Sequence, residues 1–339
     1  MSMKQMNSKI SSQNTEKPIL ELKDITKIFS NRGHSTTAAQ NVNFRVDPGK
    51  VVALVGESGS GKSTLAKLIT GIERPTSGSI NFGEWAVESL RSRNLREYRK
   101  HVQMIFQDPF ASLNPHNTVL YTIVRPLRKH LGLSKQDARN RAIHIMETVR
   151  LTPVEQFMDK KPHQMSGGQR QRLVIARAIA CEPELVVADE PVSMLDVSIR
   201  ADVLYLIDEL RRTQNMSVIY ITHDMLSARV LADEVVVLYR GHVVEQGRSD
   251  EVIKHPTHPY TQLLFSSIPN PYRHKNKESV DTGQKFAEFD VPIEMKVAQD
   301  MVSNSGCPFA SRCPFVMDKC LQTMPPLTGN QDHLTACYR

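Results

Sequence analysis

The sequence predicts an α/β fold on three grounds. Val51–Val55, Leu185–Ala188 and Val218–Thr222, the last with Tyr220 inside it, are short continuous apolar runs, which suit parallel strands covered on both faces. Between Phe106 and Glu184 the apolar spacing turns helical. Ahead of the first parallel strand, Ile19–Phe29 and Asn41–Gly49 alternate apolar and polar residues, the second running into a Pro-Gly turn, so a small antiparallel sheet is expected there.

Taken in order, residues 1–18 are polar, lack the apolar stretch of a secretory signal and read as a flexible tail. After the antiparallel pair, Val51–Val55 leads into the turn GESGSGKST and then LAKLITGI, a strand, loop and helix. In the helical stretch, Ser134 and Asp137 form a capping-box-like start, and Ala138, Ala142, Ile145, Met146 and Val149 fall on one core-facing side. Val235–Tyr239 and His242–Glu245 flank Arg240-Gly241 as a hairpin closing a domain that spans about residues 19–255, with a helical subdomain at about 108–180. Residues 256–306 are rich in proline, histidine and lysine, then polar, and read as a linker and appended segment within a C-terminal extension, 256–339. No internal repeat is present, and there is a single P-loop.

Bulk numbers narrow the class. A formal charge of +7 is spread along the chain apart from Arg91–Lys100 and the stretch around Tyr272–Lys277, so it reads as solvated surface charge and no nucleic-acid partner is expected. No apolar run approaches the roughly 18 residues of a membrane span. Five cysteines without a signal peptide point to reduced thiols in the cytosol.

The chemistry begins at Gly56–Thr64. Gly56, Gly61, Lys62 and Ser63 satisfy the phosphate-binding P-loop (Walker A) pattern. Gly56, Gly59 and Gly61 can adopt angles that let consecutive N–H groups turn inward on a phosphate, and Glu57, Ser58 and Ser60 complete the turn. The helix start adds its positive end. Lys62 can reach the β- and γ-phosphates, Ser63 can bind Mg²⁺, and Thr64 continues the helix. Leu185–Glu190 is an apolar strand ending in two carboxylates and looks like a Walker B motif: Asp189 would hold Mg²⁺ and Glu190 would orient and deprotonate the attacking water. Ser166, Gly167, Gly168 and Gln169 open a further helix and make a second anion nest, which one γ-phosphate can use only if another chain supplies it.

SGGQRQR before a Walker B strand resembles the signature of ATP-binding cassette (ABC) ATPases. That resemblance implies roles for further residues: Gln107 as the Q-loop glutamine touching Mg²⁺, Asp196 as the D-loop aspartate, His223 as the switch histidine at the γ-phosphate, and Phe29 as the aromatic on adenine. Glu190, His223, Lys62 and Gln107 form the implied catalytic set. Two cassettes would close head to tail around two ATP molecules, Ser166 and Gly168 of one completing the P-loop site of the other.

FQDPFASLNP, ADEPVSMLDVSIRADVL and HPTHPYTQLLFSSIP are similar to ATPase subunits of oligopeptide/dipeptide-type ABC importers, and Pro191-Val192-Ser193 is more like the second of the paired ATPases. Met165 and Met194 depart from the commoner leucine and alanine without removing a polar group. The resemblance implies ATP hydrolysis powering peptide import. It also implies a peripheral position on the cytoplasmic face of the inner membrane, with two permease subunits, a sibling ATPase or second copy, and indirectly an extracytoplasmic binding protein. An importer for nickel, antimicrobial peptides or sugars, and a soluble ABC ATPase, are the alternatives.

Cys307, Cys313, Cys320 and Cys337 are separated by five, six and sixteen residues, spacers that match neither a common zinc ribbon nor the ferredoxin run. Four thiols so close in sequence suggest a metal site. The family resemblance favours a [4Fe–4S] cluster, with Zn²⁺ or four unliganded thiols as the alternatives. Cys181, alone on an expected helix, reads as buried.

Overall fold

A computed structural model describes residues 17–31, 34–266, 305–330 and 332–339. The expected N-terminal tail lies almost wholly outside these, as do Tyr272–Lys277 and residues 267–304 of the expected linker. In chain order the strands are β1 (Leu20–Asn31), β2 (His34–Val46), β3 (Val51–Val55), β4 (Ser77–Phe82), β5 (Trp85–Ala86) and β6 (Val102–Ile105). They continue as β7 (Leu185–Asp189), β8 (Ser217–Thr222), β9 (Glu234–Tyr239), β10 (His242–Arg248), β11 (Thr328–Asn330) and β12 (His333–Thr335).

Among the described residues these form an antiparallel sheet ordered β2-β1-β4-β5 and a mixed sheet ordered β11-β12-β10-β9-β3-β8-β7-β6. The pairings among β9, β3, β8, β7 and β6 are parallel. β9 and β10 are the expected hairpin, turning on Arg240 and Gly241, both at positive φ. β2 begins seven residues before the expected Asn41, because its first half is Ser, Thr and Ala held by backbone pairing, such as Thr36 opposite Phe29, with no apolar alternation to betray it. β4 and β5 were not expected, and for a similar reason: β4 opens Ser-Gly-Ser, and β5 is two residues long.

The continuous apolar runs are explained by two cores. Along β3, Val51, Ala53 and Val55 face the helices that follow β6 and β7, whereas Val52 and Leu54 face the helix Lys62–Ile69 and the antiparallel sheet. Each such side chain taken fully out of water contributes about 1.5–3 kcal/mol. Between β6 and β7 the main helices are Val119–Leu131, Lys135–Thr148 and Gly167–Ile179. Lys135–Thr148 is capped as read: the Ser134 hydroxyl accepts the Asp137 N–H, and Ala138, Ala142, Ile145 and Met146 are buried. No helix among the described residues is long and apolar enough to cross a membrane.

Residues 256–266 correct the compositional reading of a linker. Pro259–Ser266 is a helix, and Tyr260 and Thr261 are fully buried. The C-terminal residues join the same body: β12 pairs antiparallel with β10, and Cys307, Phe309 and Cys320 enter the core that contains β3. At the junction the fully buried Glu245 carboxylate accepts from the Thr257 N–H at 2.8 Å, the His258 N–H at 3.0 Å and His333 Nε2 at 2.6 Å. Burial pushes the Glu245 carboxyl up, but the hydrogen bonds from His333, Thr257 and His258 outweigh it and leave it below its ordinary value. The same bond to Glu245 raises the His333 pKa.

A raised histidine stabilises the fold fully below its ordinary pKa of 6.5 and loses that contribution as pH rises through the folded value. The lowered carboxylate acts above its ordinary 4.5 and fails as pH falls through its depressed value. His333→Ala should therefore cost about 1.5–3 kcal/mol near pH 6, and less in alkaline buffer. Denaturant melts of both proteins across pH 5–9 measure the gap, and a gap that widens as pH rises would contradict the pairing.

Candidate nucleotide site

β3, β8, β7 and β6 are adjacent and parallel, so their carboxyl ends share one edge, where α/β sheets place ligands. Gly56 leaves β3, His223 follows β8, Asp189 and Glu190 end β7, and Gln107 lies just beyond β6. At Gly56, φ is +153°, and a Cβ would stand 2.2 Å from the Leu238 carbonyl oxygen; at Gly61, φ is +105° and the Ala38 carbonyl oxygen is equally close. Neither position tolerates a side chain, because both backbones are pressed against a neighbouring strand.

Lys62, the first residue of the helix Lys62–Ile69, donates from Nζ to the carbonyls of Gly56 at 2.7 Å and Glu57 at 2.8 Å and to the Ser60 hydroxyl at 3.4 Å. Burial lowers its pKa, opposed by the negative charges of Glu190, Asp189 and Glu57. The Ser63 hydroxyl donates to Asp189 Oδ1 at 3.2 Å. Burial raises the Asp189 pKa, against the pull of that hydroxyl. A hydroxyl and a carboxylate side by side are the hard oxygen donors Mg²⁺ requires, so this pair fits the cation.

Glu190 is the junction of the site. Its Oε2 accepts from Gln107 Nε2 at 2.9 Å, and its Oε1 lies 3.1 Å from His223 Nδ1. The backbone at Glu190 is left-handed, φ +44°, and its N–H donates to the Ile221 carbonyl at 2.9 Å. A non-glycine residue in that region stores about 1–3 kcal/mol of strain, here held by the bond to β8. The sheet edge thus brings together the loop Gly56–Thr64 with Gln107, Asp189, Glu190 and His223.

Other expected residues lie elsewhere. Phe29 is on β1, 41% exposed, with the Lys27 ammonium 4.7 Å from its ring centroid. Ser166 caps the helix Gly167–Ile179 in a reciprocal box with Gln169. Gly168 is buried there, and a Cβ on it would meet Ile199 Cγ2 at 2.7 Å, so this glycine serves helix packing within the chain as well as any ligand. Asp196 caps the helix Val197–Gln214 through its backbone, its carbonyl accepting from Ile199 and Arg200.

Two residues that touch the loop were not anticipated. The Glu57 N–H donates to the Tyr260 hydroxyl at 2.8 Å, and Arg312 donates to both Glu57 carboxylate oxygens, at 3.0 and 3.1 Å. No local signal marks Arg312, which is 255 residues from its partner.

The four C-terminal thiols all line one small apolar cavity of about 20 Å³, walled also by Phe309, Phe315 and Tyr338. Burial raises the Cys307 thiol to about 11, with the other three cysteines adding to the shift. Their donor chemistry suits a soft metal, yet no group of three or more His, Cys, Asp or Glu side chains among the described residues is gathered so as to hold a metal ion.

Residues 39–193 match the ABC transporter family, and with a relative 41% identical that covers 89% of its length the chain is an ABC-type ATPase. Residues 244–320 match the family described as oligopeptide/dipeptide transporter, C-terminal region. The oligopeptide transport ATP-binding protein OppF of Salmonella typhimurium (strain LT2) is 41% identical over 305 residues, covering 89% of this chain and 87% of that protein. OppF of Escherichia coli K12 is 39% identical, covering 94% and 92%, and the di/tripeptide transport ATP-binding protein DppF of Pseudomonas aeruginosa is 36% identical, covering 94% and 97%. The chain belongs to the ATP-binding proteins of oligopeptide/dipeptide-type ABC transporters. Among solved structures, the dimeric post-hydrolysis ATP-binding cassette MJ0796 bound to ADP and Pi superposes with a TM-score of 0.62 at 30% identity, covering 68% of this chain and 98% of that one.

Glu190→Gln keeps the shape of the Gln107–Glu190–His223 cluster but replaces the carboxylate by an amide that takes no proton; with Glu190 as the expected base, ATP turnover should fall by about 10²-fold or more while nucleotide binding persists. Steady-state hydrolysis with parallel binding measurements checks this, and near-normal turnover would assign the base elsewhere. Lys62→Ala should instead weaken nucleotide binding itself.

Proposed function

We propose that this chain hydrolyses ATP to drive import of di- or oligopeptides through two membrane permease subunits, bound peripherally at the cytoplasmic face of the membrane. The observation that supports this most is the meeting of Gln107, Glu190 and His223 beside the P-loop and the Ser63–Asp189 pair, in a chain whose relatives are peptide-transport ATP-binding proteins. Gly56–Ser63 would hold the triphosphate. Ser63 and Asp189 would hold Mg²⁺, with Gln107 beside it, and the cation when bound would offset charge on the β- and γ-phosphates. Phe29 would stack on adenine.

Glu190 accepts the proton of a water whose oxygen attacks the γ-phosphorus, the bond to the β-γ bridging oxygen breaks, and ADP leaves. Gln107 fixes the Glu190 carboxylate on one side, and His223, on the other, is placed to donate to the γ-phosphate. Ser166, Gly167, Gly168, Gln169 and Asp196 act across the interface, in a dimer with a second copy or a sibling ATPase. On this reading the cassette is 19–255, its helical subdomain about 108–180, and 256–339 the transporter-type extension.

The thiol-lined cavity we read as the seat of a [4Fe–4S] group, with Zn²⁺ as the alternative, held by Cys307, Cys313, Cys320 and Cys337. Metal analysis of anaerobically prepared protein tests it: stoichiometric iron and sulfide are expected, and metal-free protein of full activity would remove the group from consideration.

For transport, the full complex with its two permeases in proteoliposomes should take up labelled peptide only with ATP. Uptake of nickel but not peptide, or recovery from solubilised membranes without any integral partner, would overturn the peptide-import reading. Ser166→Arg should disable the site on the opposing chain, and in a mixed dimer a loss confined to the mutant's own P-loop would contradict head-to-tail assembly.

A further inference from the structure

Residue 57 of the nucleotide loop is held through its carbonyl, its N–H and its carboxylate. Its carbonyl accepts from Lys62 Nζ at 2.8 Å, its N–H donates to the Tyr260 hydroxyl at 2.8 Å, and its carboxylate is gripped by both terminal nitrogens of Arg312 at 3.0 and 3.1 Å. The last two ties come from the C-terminal part of the chain. Both stand on one aromatic cluster: the rings of Tyr239, Tyr260 and Phe309 lie 4.5–5.5 Å apart, each no more than 2% exposed. Arg312 also donates to the Tyr239 hydroxyl at 3.3 Å. His258 packs its ring 5.8 Å from Phe309, and burial lowers it to about 4, so it is neutral and its Nδ1 accepts the Tyr260 N–H at 3.0 Å.

We propose that Arg312 and Tyr260 are positioning residues for ATP, clamping Glu57 so that the loop keeps its phosphate-binding shape and its acidic side chain stays neutralised. The inference rests on the reading of Gly56–Ser63 as the triphosphate site. Two physical terms carry it. The forked Arg–carboxylate pair fixes direction as well as charge, unlike a simple surface ion pair. In addition, a carboxylate one residue into a phosphate cradle opposes the incoming polyanion unless a cation compensates it, and Arg312 holds Glu57 above all other partners in raising its own pKa. The C-terminal extension therefore belongs functionally to the nucleotide site, whatever else it does.

The test uses the full-length chain, Mg²⁺ and a fluorescent N-methylanthraniloyl ATP, together with steady-state ATPase kinetics. Arg312→Gln should raise the nucleotide Kd and the KM for ATP by about three- to tenfold with kcat little changed, the pattern of lost uniform binding. Arg312→Lys should recover part of this, since lysine restores charge without the fork. Tyr260→Phe should shift affinity in the same direction by less. Glu57→Gln added to Arg312→Gln should return affinity toward the wild-type value, because the uncompensated charge is gone. Wild-type affinity in Arg312→Gln would overturn the clamp. So would an affinity loss that Glu57→Gln does not relieve and that travels with a lowered Tm, which would make Arg312 a prop of the fold. If Lys62→Ala leaves nucleotide binding intact, the site assignment fails first, and the clamp with it.

Discussion

A phosphate cradle reserves N–H groups for its ligand, so it leans on contacts from outside more than on the internal hydrogen bonds that stabilise other turns. Nearly everything around Gly56–Gly61 answers to that constraint. The hairpin tip between β9 and β10 donates from the Gly241 N–H to the Ser60 carbonyl at 2.9 Å and accepts from the Gln40 N–H of β2 at the same distance. β2 presses its Ala38 carbonyl against Gly61, β9 presses Leu238 against Gly56, and Tyr260 takes the Glu57 N–H. Two sheets and a C-terminal helix meet at the loop because the loop has to be supported from outside.

The chemistry at the sheet edge is also mutual. Asp189 is 6% exposed and Lys62 5%, and burial pushes each toward its uncharged form. Each is supported by its neighbours, the ammonium by the charges of Glu190, Asp189 and Glu57, and Asp189 by the Ser63 hydroxyl and the charge of Lys62. Glu190, on its strained backbone, spends both carboxylate oxygens on Gln107 and His223, residues from the strands on either side of β7. A carboxylate aimed from two neighbouring strands senses small shifts of either one.

Much of this was legible in the chain. β3, β7 and β8 declare themselves as unbroken apolar runs because both faces are covered, and the phosphate loop is a local motif whose glycines have no substitute. Less legible was everything decided at long range. The first half of β4 and the first half of β2 carry little apolar signal and are held by backbone pairing, although Ile80 and Phe82 at the end of β4 are buried. Residues 256–266 carry the proline and histidine of a linker, yet their polar groups are satisfied by the buried Glu245, 13 residues from His258, and by Glu57, 203 residues from Tyr260. Gly168 reads as part of an anion nest, and its close approach to Ile199 emerges only from how two helices pack.

The distance along the chain between Glu57 and Arg312 has a consequence in time. At about 5–20 residues per second of synthesis, the nucleotide loop emerges on the order of 10–50 s before the arginine that grips it. During that interval β10 also lacks β12, and the Glu245 carboxylate lacks His333. On the clamp proposed above, a nascent chain carries an incompletely assembled ATP loop, a chain truncated before Arg312 keeps one, and full nucleotide affinity would record that the C-terminal segment has been made and folded.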